Sequence, residues 1–250
     1  MIRIFTLIAF LGTFTFSVLA QTASPTAPLI SQSVHQQDAT FLLTNNNGIS
    51  VFSAGRDGSL FLLDFDSCSI LKTFTGNNEV ITCLAQSKDG KFLLSGYEDG
   101  TITLWDIENA KKIKTIRNHE GPVRGVAFSQ DAKTKFLYSC AEDGFIKGYD
   151  REMDCKWVLT SESTNPLTAM VINYEGKMLY VGDQNGNIIG VKTKDLKKEI
   201  DLTTKHKGQV NCLSLSPDGN NLLSGGVDFF VKITNLKENK ETQSWKSQDR

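Results

Sequence analysis

The chain has 250 residues, 40% of them hydrophobic and 22% charged, which fits a soluble globular fold with enough length for a sizeable core. Its 27 basic and 28 acidic residues give a net charge of −1 with no block of one sign, which argues against the clustered basic excess of a nucleic-acid surface. Five cysteines and three histidines show no metal-ligand spacing, so no metal or cofactor is expected.

At the N-terminus, Met1-Ile2-Arg3 carries one positive charge, residues 4–16 are mainly apolar, and Ser17-Val18-Leu19-Ala20 ends in small residues before Gln21. Charge, apolar run and small-residue exit together predict a secretory signal peptide over residues 1–20. The apolar run is shorter than the ~20 residues that span a bilayer, which disfavours a membrane anchor. Residues 21–33, with Pro25 and Pro28, read as a leader into a domain that fills 34–250. The expected location is the secretory pathway, extracellular or periplasmic. An odd number of cysteines and the lack of any Asn-x-Ser/Thr acceptor point the other way, to a cytoplasmic or nuclear protein with a mis-assigned start. Cys83 and Cys212 fall in apolar stretches and are expected in the core as free thiols.

From residue 34 onward one unit recurs five times. Its best copy, LLSGYEDGTITLWD at residues 93–106, is an apolar run, a tight Asp-Gly turn and an alternating run. That is the strongest short-range signal for a β-hairpin. The turn acid Asp99 has counterparts at Asp57, Asp143, Asn185 and Asp228, in steps of 42, 44, 42 and 43 residues. Four positions earlier stand Ser53, Ser95, Ser139 and Ser224, with Val181 the exception. Six positions later stand Leu63, Trp105, Tyr149, Val191 and Thr234. Upstream, and in register, come a second polar turn and then His35, Asn77, His119, Ser163 and His206. Each unit holds four short strand-like runs, in the second copy roughly 81–85, 91–96, 101–107 and 112–116, and helical periodicity is absent. A repeat of ~40–45 residues with four strands predicts an all-β fold, a β-propeller with one blade per unit.

These residues resemble the WD-repeat family over about residues 34–245. Trp105-Asp106 is the pair that names the family, Leu63-Asp64 and Tyr149-Asp150 are weaker copies, and the Gly that precedes the family's His is missing. The resemblance implies four-stranded antiparallel blades, each tied by a polar network in which the turn Asp accepts from backbone donors and from the His. The His reaches the Ser hydroxyl and the aromatic closes the far side. It implies this role for His119/Ser139/Asp143/Tyr149, for His206/Ser224/Asp228, for His35/Ser53/Asp57, and for Ser95/Asp99/Trp105 beside Asn77. The fourth copy, Ser163/Val181/Asn185/Val191, lacks most of the set and is expected to be the loosest blade. The family's commonest ring has seven blades, so the five units either close alone or form part of a larger ring, the incomplete ring being the favoured expectation. Thr242–Trp245 reads as the outermost strand of the last blade.

Ser, His and Asp recurring together suggest a hydrolase triad, but a triad is one constellation with an oxyanion hole, not a set repeated per blade. No G-x-S-x-G elbow is present either. No catalytic residue is assigned, and the chain is not read as an enzyme. A propeller lactonase or glycosidase would need convergent carboxylates or metal ligands at the channel mouth.

By resemblance, binding residues lie beside the network. Arg56, Glu98, Glu142 and Gln184 precede the turn acid, with Val227 in the same register. Thr40, Thr82, Arg124, Thr168 and Asn211 enter the innermost strands. The mixed charge of Glu98, Arg124 and Glu142 suits a peptide or protein surface rather than phosphate. The expected function is a non-catalytic scaffold with a protein or peptide partner. The alternative is an intracellular adaptor subunit of a multi-protein complex, in RNA processing, ubiquitin ligation or trafficking. Trp157 and Trp245 are expected to cover the outer edges of their blades.

Overall fold

The computed structural model describes residues 33–76, 78–129, 136–150, 152–160 and 165–246. The expected signal peptide, nearly all of the expected leader, Asn77 and Ser163 lie outside the described residues.

Twenty strands make five antiparallel sheets of four, each in simple chain order. The first sheet holds β1 (Ala39–Thr44), β2 (Ser50–Gly55), β3 (Leu60–Asp64) and β4 (Ile70–Phe74). The second holds β5 (Ile81–Gln86), β6 (Phe92–Tyr97), β7 (Thr101–Asp106) and β8 (Lys111–Arg117). The third holds β9 (Val123–Phe128), β10 (Leu137–Ala141), β11 (Phe145–Tyr149) and β12 (Cys155–Thr160). The fourth holds β13 (Leu167–Ile172), β14 (Met178–Asp183), β15 (Ile188–Lys192) and β16 (Lys198–Asp201). The fifth holds β17 (Val210–Leu215), β18 (Asn221–Gly226), β19 (Phe230–Asn235) and β20 (Lys240–Lys246). The last blade thus takes its outermost strand from its own unit, as the sequence predicts.

Turn chemistry sets each hairpin. Between β6 and β7, Gly100 adopts a φ of +86°, and Asp99 Oδ1 accepts the Thr101 amide at 2.9 Å. The resulting register pairs Leu93 with Trp105 and Ser95 with Thr103. Side chains alternate between two faces, and both faces of these strands are covered: Leu93 and Leu94 are both buried.

The sheets are the blades of a propeller. Innermost strands pack in succession, β1 on β5, β5 on β9, β9 on β13 and β13 on β17. Four hydrophobic cores fill the spaces between neighbouring blades. Phe52, Leu60 and Phe74 meet Leu93 and Trp105 in the first, and Ala169, Tyr180 and Ile188 meet Val210 and Leu222 in the last. Among the described residues no comparable core or strand packing joins the fifth blade to the first.

Three expectations are overturned, two of them at that seam. Cys212, in register with the buried Cys83, is exposed, because among the described residues no blade packs on that face. Trp245 is 51% exposed for the same reason, whereas Trp157 is partly buried and meets Phe136 edge-on at 4.6 Å. The fourth blade is not the loosest: Val181 and Val191 are fully buried where the second and third copies carry Ser and an aromatic, so apolar packing replaces the polar tie. Of the large apolar side chains exposed among the described residues, the fifth blade carries four, Val227, Phe229, Val231 and Trp245, and the fourth blade only Tyr174.

Candidate functional site

In the third blade, His119 is held between two partners. Its Nδ1 lies 2.8 Å from Asp143 Oδ2 and its Nε2 lies 2.6 Å from Ser139 Oγ, which in turn meets Tyr149 Oη at 3.0 Å. A neutral ring with its proton on Nδ1 donates to the carboxylate and accepts from the serine. Asp143 also accepts the amides of Glu120 and Phe145 at 3.1 Å each, so one carboxylate ties the loop before β9 to the turn before β11. The fifth blade repeats this with His206, which lies 2.9 Å from Asp228 and 2.8 Å from Ser224.

The first blade inserts an extra residue. His35 Nε2 is 2.6 Å from Ser53 Oγ, but its Nδ1 meets Ser59 Oγ at 2.5 Å while Asp57 Oδ1 stands 3.5 Å away. Ser59 hands the contact on by donating to Asp57. In the second blade Trp105 Nε1 donates to Ser95 Oγ at 2.8 Å, and Ser95 donates to Tyr97 Oη at 3.0 Å. In the fourth, Asp183 serves in place of a turn acid. It accepts the amides of Asn185 and Asn187 at 2.9 and 2.8 Å and the side-chain amides of Asn187 and Asn165. Ser59, Tyr97 and Asp183 were not singled out from sequence. Only Asp183 left a signal there, as an acid two positions before a turn residue that had lost its own.

Electrostatics follow from burial. Desolvation lowers the pKa of His35 and His119 below the ordinary histidine value, and the facing Asp57 and Asp143 pull it back only in part. For Asp57, burial pushes upward, but hydrogen bonds from Ser59 and Gln36 outweigh it and hold the carboxyl low. Asp228 is held low in the same way by the Lys207 amide and His206. Among the described residues, no buried side-chain nitrogen or oxygen lacks a partner, and no group of three His, Cys, Asp or Glu could hold a metal ion. Such closed sets hold segments together, and the serines within them, Ser53, Ser139 and Ser224, are buried.

The two rings of candidate contact residues divide. Arg56, Glu98 and Gln184 are exposed on the tight turns. Glu142 is half-buried and accepts Arg124 Nε at 2.7 Å, so these two candidates are each other's partner. Thr82 and Thr168 turn their hydroxyls toward the neighbouring blade, Thr82 donating to Val123 O and Thr168 to Val210 O at 2.6 Å. Both are inter-blade ties, and Thr168 is buried. Thr40 donates to Ala54 O in its own blade at 3.2 Å, and Asn211, with no blade beyond it, is exposed.

One part of this face escaped sequence reasoning. Where four blades place Gly58, Gly100, Gly144 and Gly186 after the turn acid or its counterpart, the fifth has Phe229, at a φ of +64°. A bulky residue in the left-handed region is an outlier that costs of order 1–3 kcal/mol. Phe229 is 58% exposed and Val227 beside it 45%, which makes an apolar tip on an otherwise polar rim. The signal was the loss of the turn glycine.

Comparison with known proteins agrees with this architecture. Residues 55–139 match the family described as the Vps8 beta-propeller, and residues 198–235 match the WD domain, G-beta repeat. The chain is 30% identical over 123 residues to a guanine nucleotide-binding protein subunit beta of Nicotiana tabacum, a stretch covering 46% of this chain and 32% of that protein. It is 24% identical over 195 residues to SEC12-like protein 2 of Arabidopsis thaliana, covering 76% and 49% respectively. It is 26% identical over 185 residues to the target of rapamycin complex subunit wat1 of Schizosaccharomyces pombe, covering 72% and 58%. The matched stretch thus spans from a third to somewhat over half of these relatives. With five four-stranded blades, a repeated Ser-His-Asp tie and these matches, the chain is a WD-repeat β-propeller protein.

Proposed function

We propose that the chain is a non-catalytic scaffold that binds a protein or peptide through its turn face. The observation that carries this reading is the closure of every polar set resembling a triad. His119 and His206 each have both ring nitrogens engaged within their own blade, and the same arrangement recurs blade by blade. The groups left free for recognition are Arg56, Glu98, Gln184, Val227 and Phe229 on the turns. Relatives named as subunits of larger complexes, such as wat1, support an adaptor role.

The test is affinity capture from native lysate with the wild type and with Arg56→Glu, Glu98→Lys and Phe229→Ser together. The proposal expects a specific partner lost from the triple variant while the melting transition stays. A partner retained by that variant, or hydrolytic turnover abolished by Ser139→Ala, would sink it.

For location, the signal-peptide pattern over residues 1–20 supports export. All five cysteines are free, Cys155 and Cys212 on the surface, which supports a reducing compartment and the intracellular adaptor reading. N-terminal sequencing of the recovered protein separates the two. A chain beginning at Gln21 carries the secretory reading, and one retaining Met1 in the cytosol removes it.

A further inference from the structure

The fifth blade bears an apolar face that its register mates bury. Three positions after the turn residue stand Leu60, Ile102, Ile146 and Ile188, exposed by 1%, 2%, 0% and 1%, whereas Val231 in that place is 43% exposed. Strand pairing lines up Cys212, Gly225, Val231 and Trp245 across the sheet, with Ser214, Leu223, Ile233 and Gln243 in the row beside them. None of these eight is charged. On the same strands, Lys232 and Glu241 pair with each other at 3.0 Å on the opposite face, and Lys246 follows Trp245 at the end of β20.

Phe229 decides what can cover this face. Where the second and fourth blades meet the next, the turn glycine admits the incoming loop of that blade. A Cβ on Gly100 would lie 2.2 Å from His119 O, and one on Gly186 would lie 2.1 Å from His206 O. Phe229 supplies that Cβ and a ring besides, so another blade docked in the same register meets it head-on. The face needs an apolar cover of a different geometry.

We propose that a second copy of this chain is the cover, in a two-fold dimer where each Val231–Trp245 surface packs on its twin. An uncharged face meets its own copy without like-charge repulsion. A two-fold contact uses one patch on both partners, and two apolar sheet faces pack at a separation of ~10 Å. Phe229, which blocks an in-register blade, adds apolar surface to this contact.

The test uses the full chain in sedimentation equilibrium and in residue-resolved thiol alkylation, over about a hundredfold range of concentration. The mass should rise from monomer to dimer, and alkylation of Cys212 should fall in step while exposed Cys155, in the third blade, keeps its rate. Val231→Lys should stay monomeric, keep the melting transition that the wild type shows at its lowest, monomeric concentration, and leave Cys212 reactive throughout. A monomer at all concentrations with constant Cys212 labelling overturns the proposal, and that measurement needs no variant. So does a dimer that survives Val231→Lys. A dimer abolished by Ile70→Lys, on the free face of the first blade, would mean head-to-tail contact and overturns the two-fold assignment.

Discussion

Gly100 and the carbonyl oxygen of His119 approach so closely that a Cβ on the glycine would sit 2.2 Å from that oxygen. The contact joins the tight turn of one blade to the loop that enters the next, and Gly100 has a φ of +86°. Gly100→Ala therefore meets two costs, left-handed strain and a clash with backbone. It should destabilise the fold by about 2–4 kcal/mol in urea titration. Phe229→Gly at the corresponding turn removes strain, and should stabilise the monomer by about 1 kcal/mol.

Trp105 links two kinds of stabilisation. Its ring meets Phe74 of the preceding blade edge-on at 5.8 Å, and its Nε1 donates to the buried Ser95 hydroxyl. Trp105→Phe keeps most of the apolar surface but takes away Ser95's indole donor. A loss of about 1–3 kcal/mol is expected, read as a lower urea midpoint with an unchanged slope.

Stability should fall as pH drops. His35 and His119 have folded-state pKa values below their unfolded value, so they are neutral in the fold, and the unfolded chain binds the extra proton. Their contribution is complete above about pH 6.5 and is lost as pH falls through the folded-state values. Asp57 and Asp228, held low, contribute above the ordinary aspartate value near 4 and lose this as pH falls through their folded values. Urea midpoints at pH 7.5 and pH 5 should differ in that direction, with a smaller difference in His35→Asn. A midpoint that rises on acidification would contradict the assignment.

Thiol chemistry should sort by blade position. Burial pushes the Cys83 thiol up to about 12 and raises Cys140 well above the ordinary range, whereas Cys155 and Cys212 are exposed. Alkylation of the native monomer should modify Cys155 and Cys212 and spare Cys83 and Cys140 until the chain is unfolded.

The blade count, the strand order and the tying sets were legible because they depend on local chemistry. An Asp-Gly turn fixes a hairpin, and a Ser four positions before the acid marks the strand that leads to it. What depends on neighbours was not legible. Cys83 and Cys212 look alike in sequence, yet one is buried and the other exposed, because only one has a blade beyond it. Thr82 and Thr168 have the pattern of rim residues, yet their hydroxyls reach carbonyls more than forty positions away. Arg124 and Glu142 were candidate contacts for a partner and turn out to contact each other. Ser59 entered the first blade's tie unannounced, since a hydroxyl between a His and an Asp has no sequence signature.

The central claim is that the repeated Ser-His-Asp sets hold the blades and that recognition lies beside them. Equilibrium urea unfolding of Asp143→Ala next to Glu98→Lys tests it most directly. Removing Asp143 strands the His119 Nδ1 proton and two amides, so its midpoint should drop by the equivalent of about 1–3 kcal/mol, while Glu98→Lys should unfold with the wild type. An Asp143→Ala protein as stable as the wild type, or a Glu98→Lys protein as weakened as Asp143→Ala, would contradict the account.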